Sequence, residues 1–310
     1  MILGREVIPY LARTYKQLYL IPGSDGADEK YRAIVRRGED LSEKTLAHFT
    51  MSDNDSLVFT ETPAGIVQVI SLYERNDFEI FIQIMANRCK KKVIPRTQGA
   101  AIIDGVINWD KINAHKKEFL EKEIARGNYF PDWSAEFRRF TSNKCNYQDG
   151  IIVLSVGPYS GISASELGFS ESEWIELSAV IRKYHECTHF ICRRLYPDQI
   201  DPIWDEVVAD AVGIFAAFGR YDSDMALKFL GVDESGYKGG RLENYLEECI
   251  EERSKNLKLD KMSKLVSTYV KLFSKIISES GTNNPFEILK HLECNYELYR
   301  IYPGKQNKSQ

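Results

Sequence analysis

The chain has 310 residues, of which 43% are hydrophobic and 12% aromatic, and its formal net charge is -4. This length and apolar content suit one large or two ordinary globular domains and exclude a disordered or fibrous chain. The near balance of charges argues against a nucleic-acid-binding protein with a broad basic surface. Because no run of about 18 apolar residues occurs, we also expect neither a signal peptide nor a membrane span.

The cysteines are scattered singly along the chain, and none forms a CxxC pair. Their positions are Cys89, Cys145, Cys187, Cys192, Cys249 and Cys294. This pattern is typical of free thiols in a reducing compartment, so we predict a cytoplasmic protein without disulfides. We expect all six side chains to be buried as small apolar groups.

The first 149 residues predict a region of mixed α and β structure. Runs rich in Val, Ile and Phe indicate strands, and apolar positions at helical spacing indicate helices. The predicted strands lie at 56–60 and 66–72 and the predicted helices at 77–87 and 109–125. Arg96 and the group Asn108-Trp109-Asp110 could line a pocket, but such residues more often cap helices and fill turns, which is the interpretation we favour.

From residue 150 the pattern changes to one strand followed by helices. The apolar run 150–156, ended by Gly157-Pro158, predicts the strand. Ser170 and Glu173 have the spacing of a capping box before a helix at 172–195. Asp201-Pro202 then starts a second helix that Gly219 ends. Further helices are expected at 241–254, 260–280 and 285–299. The whole is therefore an α+β protein with a mixed region at 1–149, a mostly helical region at 150–302 and a flexible tail at 303–310.

The helix predicted at 172–195 contains the motif H-E-x-x-H. His185 and His189 are four residues apart, so both imidazoles lie on one helix face and reach a single metal ion. Glu186 projects beside that face, where it can take a proton from a water on the metal without being a ligand. The alternative is a pair of surface histidines. Apolar residues on most sides of this helix weaken it, because burying two histidines without partners is costly.

The next helix offers the third ligand. Glu206 and Asp210 lie four residues apart in an otherwise apolar helix, so they need a partner, and a metal with its histidines is the best one. Glu206 would bind the metal and Asp210 would accept the outer N–H of a histidine. The alternative is that both face solvent. Asp205 is a rival ligand, but it lies about 100° round the helix and we expect it to be exposed or capping. Small residues would let the two helices approach closely: Ala209, Ala211, Gly213, Ala216 and Ala217.

The segments HECTH and EVVAD, which span residues 185–210, resemble the gluzincin metallopeptidases, the thermolysin-like class with H-E-x-x-H on one helix and E-x-x-x-D on the next. The resemblance implies a zincin-like fold with the metal site on two adjacent helices and a bound Zn²⁺. His185, His189 and Glu206 would be its ligands. It also implies that the strand at 150–156 is an edge strand along which an extended peptide lies. The flanking segments RTQGA, INWDKI and GGRLENYL resemble a group of uncharacterised bacterial proteins, which implies no activity.

These residues predict a zinc-dependent hydrolase, a metallopeptidase that cleaves a peptide or amide bond with Glu186 as general base. Two alternatives remain: an inactive metal-binding or partner-binding protein with a zincin-like fold, and a hydrolase of small amides. The intact Glu186 favours an enzyme, because a structural metal site needs no base. The candidate oxyanion donors are Tyr184, Tyr237 and Arg241. Gly239-Gly240 allows close approach to a ligand or forms an ordinary turn between helices.

Overall fold

The computed structural model describes residues 1–197, 201–246 and 252–296, and it has the predicted α+β class. The chain divides into two compact units, the first made of residues 1–61 and 65–157 and the second of residues 62–64 and 158–310. The division falls eight residues after the one expected at 149/150, because the strand around residue 150 belongs to the sheet of the first unit. The expected tail at 303–310 lies outside the described residues.

The first unit is built on a five-stranded sheet with helices packed against it. Its elements in chain order are β1 (Ile2–Leu3), α1 (Val7–Thr14), α2 (Ala27–Arg37), β2 (Ser56–Thr62), β3 (Gly65–Leu72), α3 (Arg75–Met85), β4 (Ala100–Ile107), α4 (Trp109–Ala125), α5 (Trp133–Thr141) and β5 (Gln148–Ser155). The strand order is β1-β2-β3-β5-β4, with β3 and β5 parallel and β4 and β5 antiparallel. Asn108 caps α4, since its side chain accepts hydrogen bonds from the backbone of Asp110 and Lys111, as the capping interpretation predicted.

The strand β5 lies inside the sheet, between β3 and β4, so the expectation that it forms a peptide-binding edge is wrong. Val69 pairs with Ile152 on one side and Ile102 pairs with Ile152 on the other. Every residue from Gly150 to Ser155 is buried. Both rows of backbone hydrogen-bonding groups are therefore used within the sheet, and no extended peptide can add to this strand.

The second unit is mainly helical. Its elements in chain order are α6 (Ala164–Leu167), α7 (Glu171–Leu195), α8 (Pro202–Phe218), α9 (Ser223–Leu230), β6 (Val232–Asp233), β7 (Gly236–Tyr237), α10 (Glu252–Ser280) and α11 (Pro285–Cys294). The predicted ends of α7 and α8 are confirmed. Ser170 forms a capping box with Glu173, Asp201 caps α8, and Gly219 ends it in the left-handed conformation.

The predicted helices after residue 240 differ from those observed. Arg241–Tyr245 is a short 3₁₀ turn, because it follows Gly240, whose φ is 145°. The break expected between 254 and 260 is absent, since that stretch contains neither Pro nor Gly, and Asp260 instead pairs with Lys264 one turn along α10. Residues 297–299 of the last predicted helix lie outside the described part of the chain.

No helix among the described residues is both long and apolar enough to cross a membrane. The cysteines of the described ranges are free thiols, as expected. Burial is confirmed for Cys89, Cys187 and Cys192 but is wrong for Cys145 and Cys294, which are exposed. Cys249 lies outside the described residues.

Candidate metal centre

The helices α7 and α8 pack side by side and hold the polar groups of the centre between them. His185 and His189 are only 6% and 7% exposed, because four-residue spacing places both on the face of α7 that is buried against α8. Asp210 is fully buried on α8, and Glu206, one turn earlier, is half-buried. The two helices approach closely at Gly213, where an added Cβ would lie 2.7 Å from the backbone oxygen of Ile181. This close contact brings the imidazoles and carboxylates within reach of one another.

Three metal-binding side chains converge at the centre: His185, His189 and Glu206. The two Nε2 atoms are 3.0 Å apart. The Glu206 Oε1 atom lies 3.4 Å from His189 Nε2, and its Oε2 atom lies 3.6 Å from His185 Nε2. The structure therefore brings together the three residues that the sequence proposed as ligands.

The outer nitrogens of both imidazoles contact carboxylates of α8. His185 Nδ1 lies 2.9 Å from Asp210 Oδ1, and His189 Nδ1 lies 2.8 Å from Asp205 Oδ2. An ionised carboxylate only accepts hydrogen bonds, so each Nδ1 must donate. Metal binding requires neutral imidazoles, in which both Nε2 atoms would carry the lone pairs, and these atoms lie close to each other and to Glu206.

Asp205 occupies a place that the sequence did not predict. It was expected to be exposed or to cap α8, but Asp201 is the cap, and Asp205 holds the ring of His189. The expectation failed because the helical angle of about 100° between Asp205 and Glu206 only prevents both carboxylates from binding the same metal ion. A carboxylate at that angle still reaches the far side of an imidazole that lies between the helices.

Tyr159 and Arg241 complete the surroundings of Asp210. The Tyr159 hydroxyl donates to Asp210 Oδ1 at 2.6 Å, lies 2.9 Å from His185 Nδ1 and accepts from Arg241 at 2.8 Å. Arg241 also forms an ion pair with Asp210. Burial raises the pKa of Tyr159 well above its ordinary value, so the phenol remains a donor. Sequence reasoning missed Tyr159 because a single tyrosine 26 residues before His185 has no motif to mark it.

The electrostatics of the centre favour a cation. Burial alone would raise the pKa of Glu206, but the hydrogen bond with His189 and the electrostatic interactions with His185, His189 and Arg241 lower it, so this carboxylate is ionised. Burial also tends to raise the pKa of Asp210, which the charge of Arg241 and the contact with His185 lower instead.

The donor set fits a divalent metal ion. In the described part of the chain, the imidazoles contact the carboxylates of Asp205, Glu206 and Asp210, and one guanidinium pairs with them, which leaves a formal charge of -2. Ligand atoms about 2.0–2.1 Å from a tetrahedral ion lie about 3.3 Å from one another. The three measured separations of 3.0, 3.4 and 3.6 Å bracket that value. Without a metal, burial opposes protonation of His189, but Asp205 and Glu206 raise its pKa well above the ordinary value, so a proton occupies the space that a metal ion would take between these groups.

Of the three sequence-derived oxyanion donors, Arg241 lies at the centre, whereas Tyr184 and Tyr237 make other contacts. Tyr184 packs its ring against Phe286. The Tyr237 hydroxyl is bonded to the backbone N–H and C=O of Gly240. Arg241 does lie at the centre, but Asp210 and Tyr159 occupy its guanidinium. The sequence missed Tyr245, whose pKa is raised well above its ordinary value by burial and by the neighbouring carboxylate of Glu206.

The pair Gly239-Gly240 lies at a close contact between two backbone turns. Both glycines have positive φ values, and an added Cβ on Gly231 would lie 2.2 Å from the Gly239 carbonyl oxygen. The pair therefore lets two turns touch, as the ordinary-turn interpretation predicted.

Glu186 differs from the other acids of the centre. It is half-buried, and no residue of the described ranges forms a hydrogen bond or ion pair with its side-chain carboxylate.

A family model matches residues 7–300, which include every residue of the centre. The chain belongs to the DUF7005 family. That family is described as one of unknown function, so membership assigns no activity to the centre. No curated protein and no solved structure matches the chain.

Proposed function

We propose that the chain is a zinc-dependent hydrolase that cleaves an amide bond, with a zincin-like arrangement of α7 and α8. The observation that carries this proposal is the convergence of the lone pairs of His185, His189 and Glu206, with each outer histidine nitrogen bonded to a carboxylate. Two imidazoles and one carboxylate form the ligand set of catalytic zinc sites that keep one position open. The resemblance of residues 185–210 to gluzincins supports the same assignment.

The residues around the centre have separate tasks in this reaction. A zinc ion held by His185, His189 and Glu206 would polarise the amide carbonyl and lower the pKa of the attacking water. Glu186 takes a proton from the attacking water and delivers it to the leaving amine, a role open to a carboxylate that no described residue engages. Asp205 and Asp210 fix the tautomers of the histidines. The Tyr245 hydroxyl, beside Glu206, would donate its single proton to the oxyanion instead of to Glu206.

The substrate class is proposed as an amide, without commitment to an extended peptide. The strand that the gluzincin resemblance assigned to peptide binding is paired on both sides. This observation favours the small-amide alternative over the peptidase one. An inactive metal-binding protein would need the same three ligands but no base, and the unengaged Glu186 therefore favours an enzyme.

The first test is the metal content of the purified protein, measured by mass spectrometry. We expect about one zinc per chain, lost in His185→Ala and in Glu206→Ala. His291→Ala is the matched control, because His291 is an exposed histidine on α11 of the same unit. A wild-type protein that binds no zinc even when the ion is supplied would refute the proposal.

The second test separates metal binding from catalysis. Glu186→Gln should retain zinc and lose about 10²–10⁴-fold in the hydrolysis rate, because the amide side chain cannot accept the proton. The substrates are small chromogenic amides and a fluorogenic peptide library. If Glu186→Gln hydrolysed the identified substrate at the wild-type rate, Glu186 would not be the base.

A further inference from the structure

The first unit contains a cavity of about 300 Å³ that the metal centre does not use. One face of α2, the end of α3 and an irregular part of β4 form its walls. Three arginines line it, Arg32, Arg36 and Arg88, together with a single acid, Asp104. On a chain of net charge -4 this is a local concentration of positive charge.

Two of the three arginines are exposed and have no ion-pair partner among the described residues. Arg32 pairs with Asp28 on the same helix. Within residues 1–197, 201–246 and 252–296, Arg36 and Arg88 form neither a salt bridge nor a hydrogen bond through their side chains. Together they carry a charge of +2, which matches a phosphate monoester (about -1.5 to -2 at pH 7) better than a carboxylate. A planar guanidinium also donates two parallel hydrogen bonds to phosphate oxygens.

The backbone holds Arg88 at the cavity in an unfavourable conformation. Arg88 and Cys89 have φ values of 56° and 60°, in the left-handed region that glycine adopts more easily. The N–H of Cys89 bonds to the carbonyls of Gln83 and Ile84 and so ends α3. Glycine would end the helix without steric strain, but it would remove the guanidinium from the cavity.

The rest of the cavity wall suits an organic group. The edge strand β4 has a bulge between Ile103 and Val106, and the turn at Gly105, whose φ is 74°, brings the strand to the cavity. Tyr31 and Met85 add an aromatic ring and a thioether to the wall. Tyr31 and Arg88 line the same cavity. Burial raises the pKa of the Tyr31 phenol, and the charge of Arg88 partly opposes that rise.

We propose that this cavity binds a phosphate monoester of a small organic molecule. Arg36 and Arg88 hold the phosphate, and the organic group lies against Tyr31 and Met85. A volume of about 300 Å³ is at the lower end for small-molecule sites, so the ligand is about the size of a phosphorylated aromatic or sugar. The site lies wholly within the first unit and is independent of the proposed hydrolase activity.

The test is calorimetric titration of the full chain with phenyl phosphate, with inorganic phosphate and phenol as separate probes at constant ionic strength. We expect saturable binding of one phenyl phosphate, weakened at least about tenfold in Arg36→Gln and in Arg88→Asn. Asn is chosen at position 88 because it tolerates positive φ. Arg138→Gln, at an exposed arginine of α5 away from the cavity, should bind as the wild type does.

Three results would overturn the proposal. The first is no saturable binding of phenyl phosphate up to about 10 mM, which is weaker than a specific site of this kind requires. The second is wild-type affinity in both arginine variants when circular dichroism shows them folded. The third is equal affinity for inorganic phosphate and phenyl phosphate, which would mean that the organic group is not recognised. A parallel titration of His185→Ala keeps the result separate from the state of the metal centre.

Discussion

The contact between α7 and α8 at Gly213 provides a sharp test of how the centre is built. In Gly213→Ala the new Cβ would lie 2.7 Å from the Ile181 carbonyl oxygen and 3.1 Å from Ile181 Cγ2, whereas ordinary contacts begin at 3.4 Å. The helices must therefore move apart locally by about 0.7 Å, the difference between 3.4 and 2.7 Å. The obstacle is the backbone of a buried helix, so rotating a side chain does not relieve it.

Two effects of opposite sign decide the stability of this variant. Replacing Gly by Ala inside a helix stabilises it by about 1 kcal/mol through backbone propensity. Overpacking a buried contact costs about 1–3 kcal/mol. Because the clash is with a main-chain carbonyl, we expect the upper part of that range and a net loss of about 1–2 kcal/mol in the free energy of unfolding.

The same displacement should weaken metal binding. On α7, His185 lies one turn after Ile181, and on α8, Asp210 lies one turn before Gly213. Moving the helices apart here would therefore separate the histidines of α7 from the carboxylates of α8. Metal–ligand distances tolerate only about ±0.2 Å, less than the expected shift. We therefore expect zinc affinity to fall by at least about tenfold, on the scale of losses caused by misplaced supporting groups.

The assays are urea denaturation and competition with a chromogenic zinc chelator. Ala217→Gly is the control, because Ala217 lies on the less buried end of α8 and the change costs only propensity, about 1 kcal/mol. The reasoning would be refuted if Gly213→Ala raised the free energy of unfolding by about 1 kcal/mol, the amount that Ala217→Gly is expected to lose. The helices would then leave room for a methyl group at this position.

The remaining predictions concern carboxyl groups of the second unit. Asp210→Ala should weaken zinc retention by about 10–100-fold in the chelator assay, and unchanged affinity would remove Asp210 from the centre. Asp205→Asn should weaken it on the same scale, since His189 would lose an ionised partner. Burial raises the pKa of Glu293 from 4.5 to about 7. Between these two pKa values the folded state holds a proton that the unfolded state has released. The free energy of unfolding therefore falls as pH rises from about 4.5 to above 7, by about 3 kcal/mol in total. Glu293→Gln should be more stable than the wild type at pH 8 but not at pH 4.5, and a difference that is the same at both pH values would contradict this.

Much of the local structure could be predicted from the sequence. The bounds of α4 were predicted to the residue, and those of α7 and α8 to within one residue, because caps and stop signals act through neighbours in the chain. The three proposed ligands could be selected for the same reason. His185 and His189 are one turn apart on α7, and Glu206 is one turn from Asp210 on α8.

The failures concern relations between distant segments. The apolar run of β5 predicted a strand but not its neighbours, although a run without alternating polar residues is itself typical of a strand buried on both faces. Tyr159 and Tyr245 reach the centre through tertiary packing, which no local spacing records. The role of Asp205 depends on where the ring of His189 lies, and the helical angle from Glu206 does not contain that information.

The division of the centre between two helices has a mechanical consequence. Both imidazoles belong to α7, and Asp205, Glu206 and Asp210 all belong to α8. An ion held by both helices would act as a cross-link between them, and its binding free energy would be added to the stability of the folded unit. At a free ion concentration a thousand times Kd this amounts to about 4 kcal/mol. In a cell, the supply of metal would then regulate the lifetime of the folded protein as well as its catalytic activity.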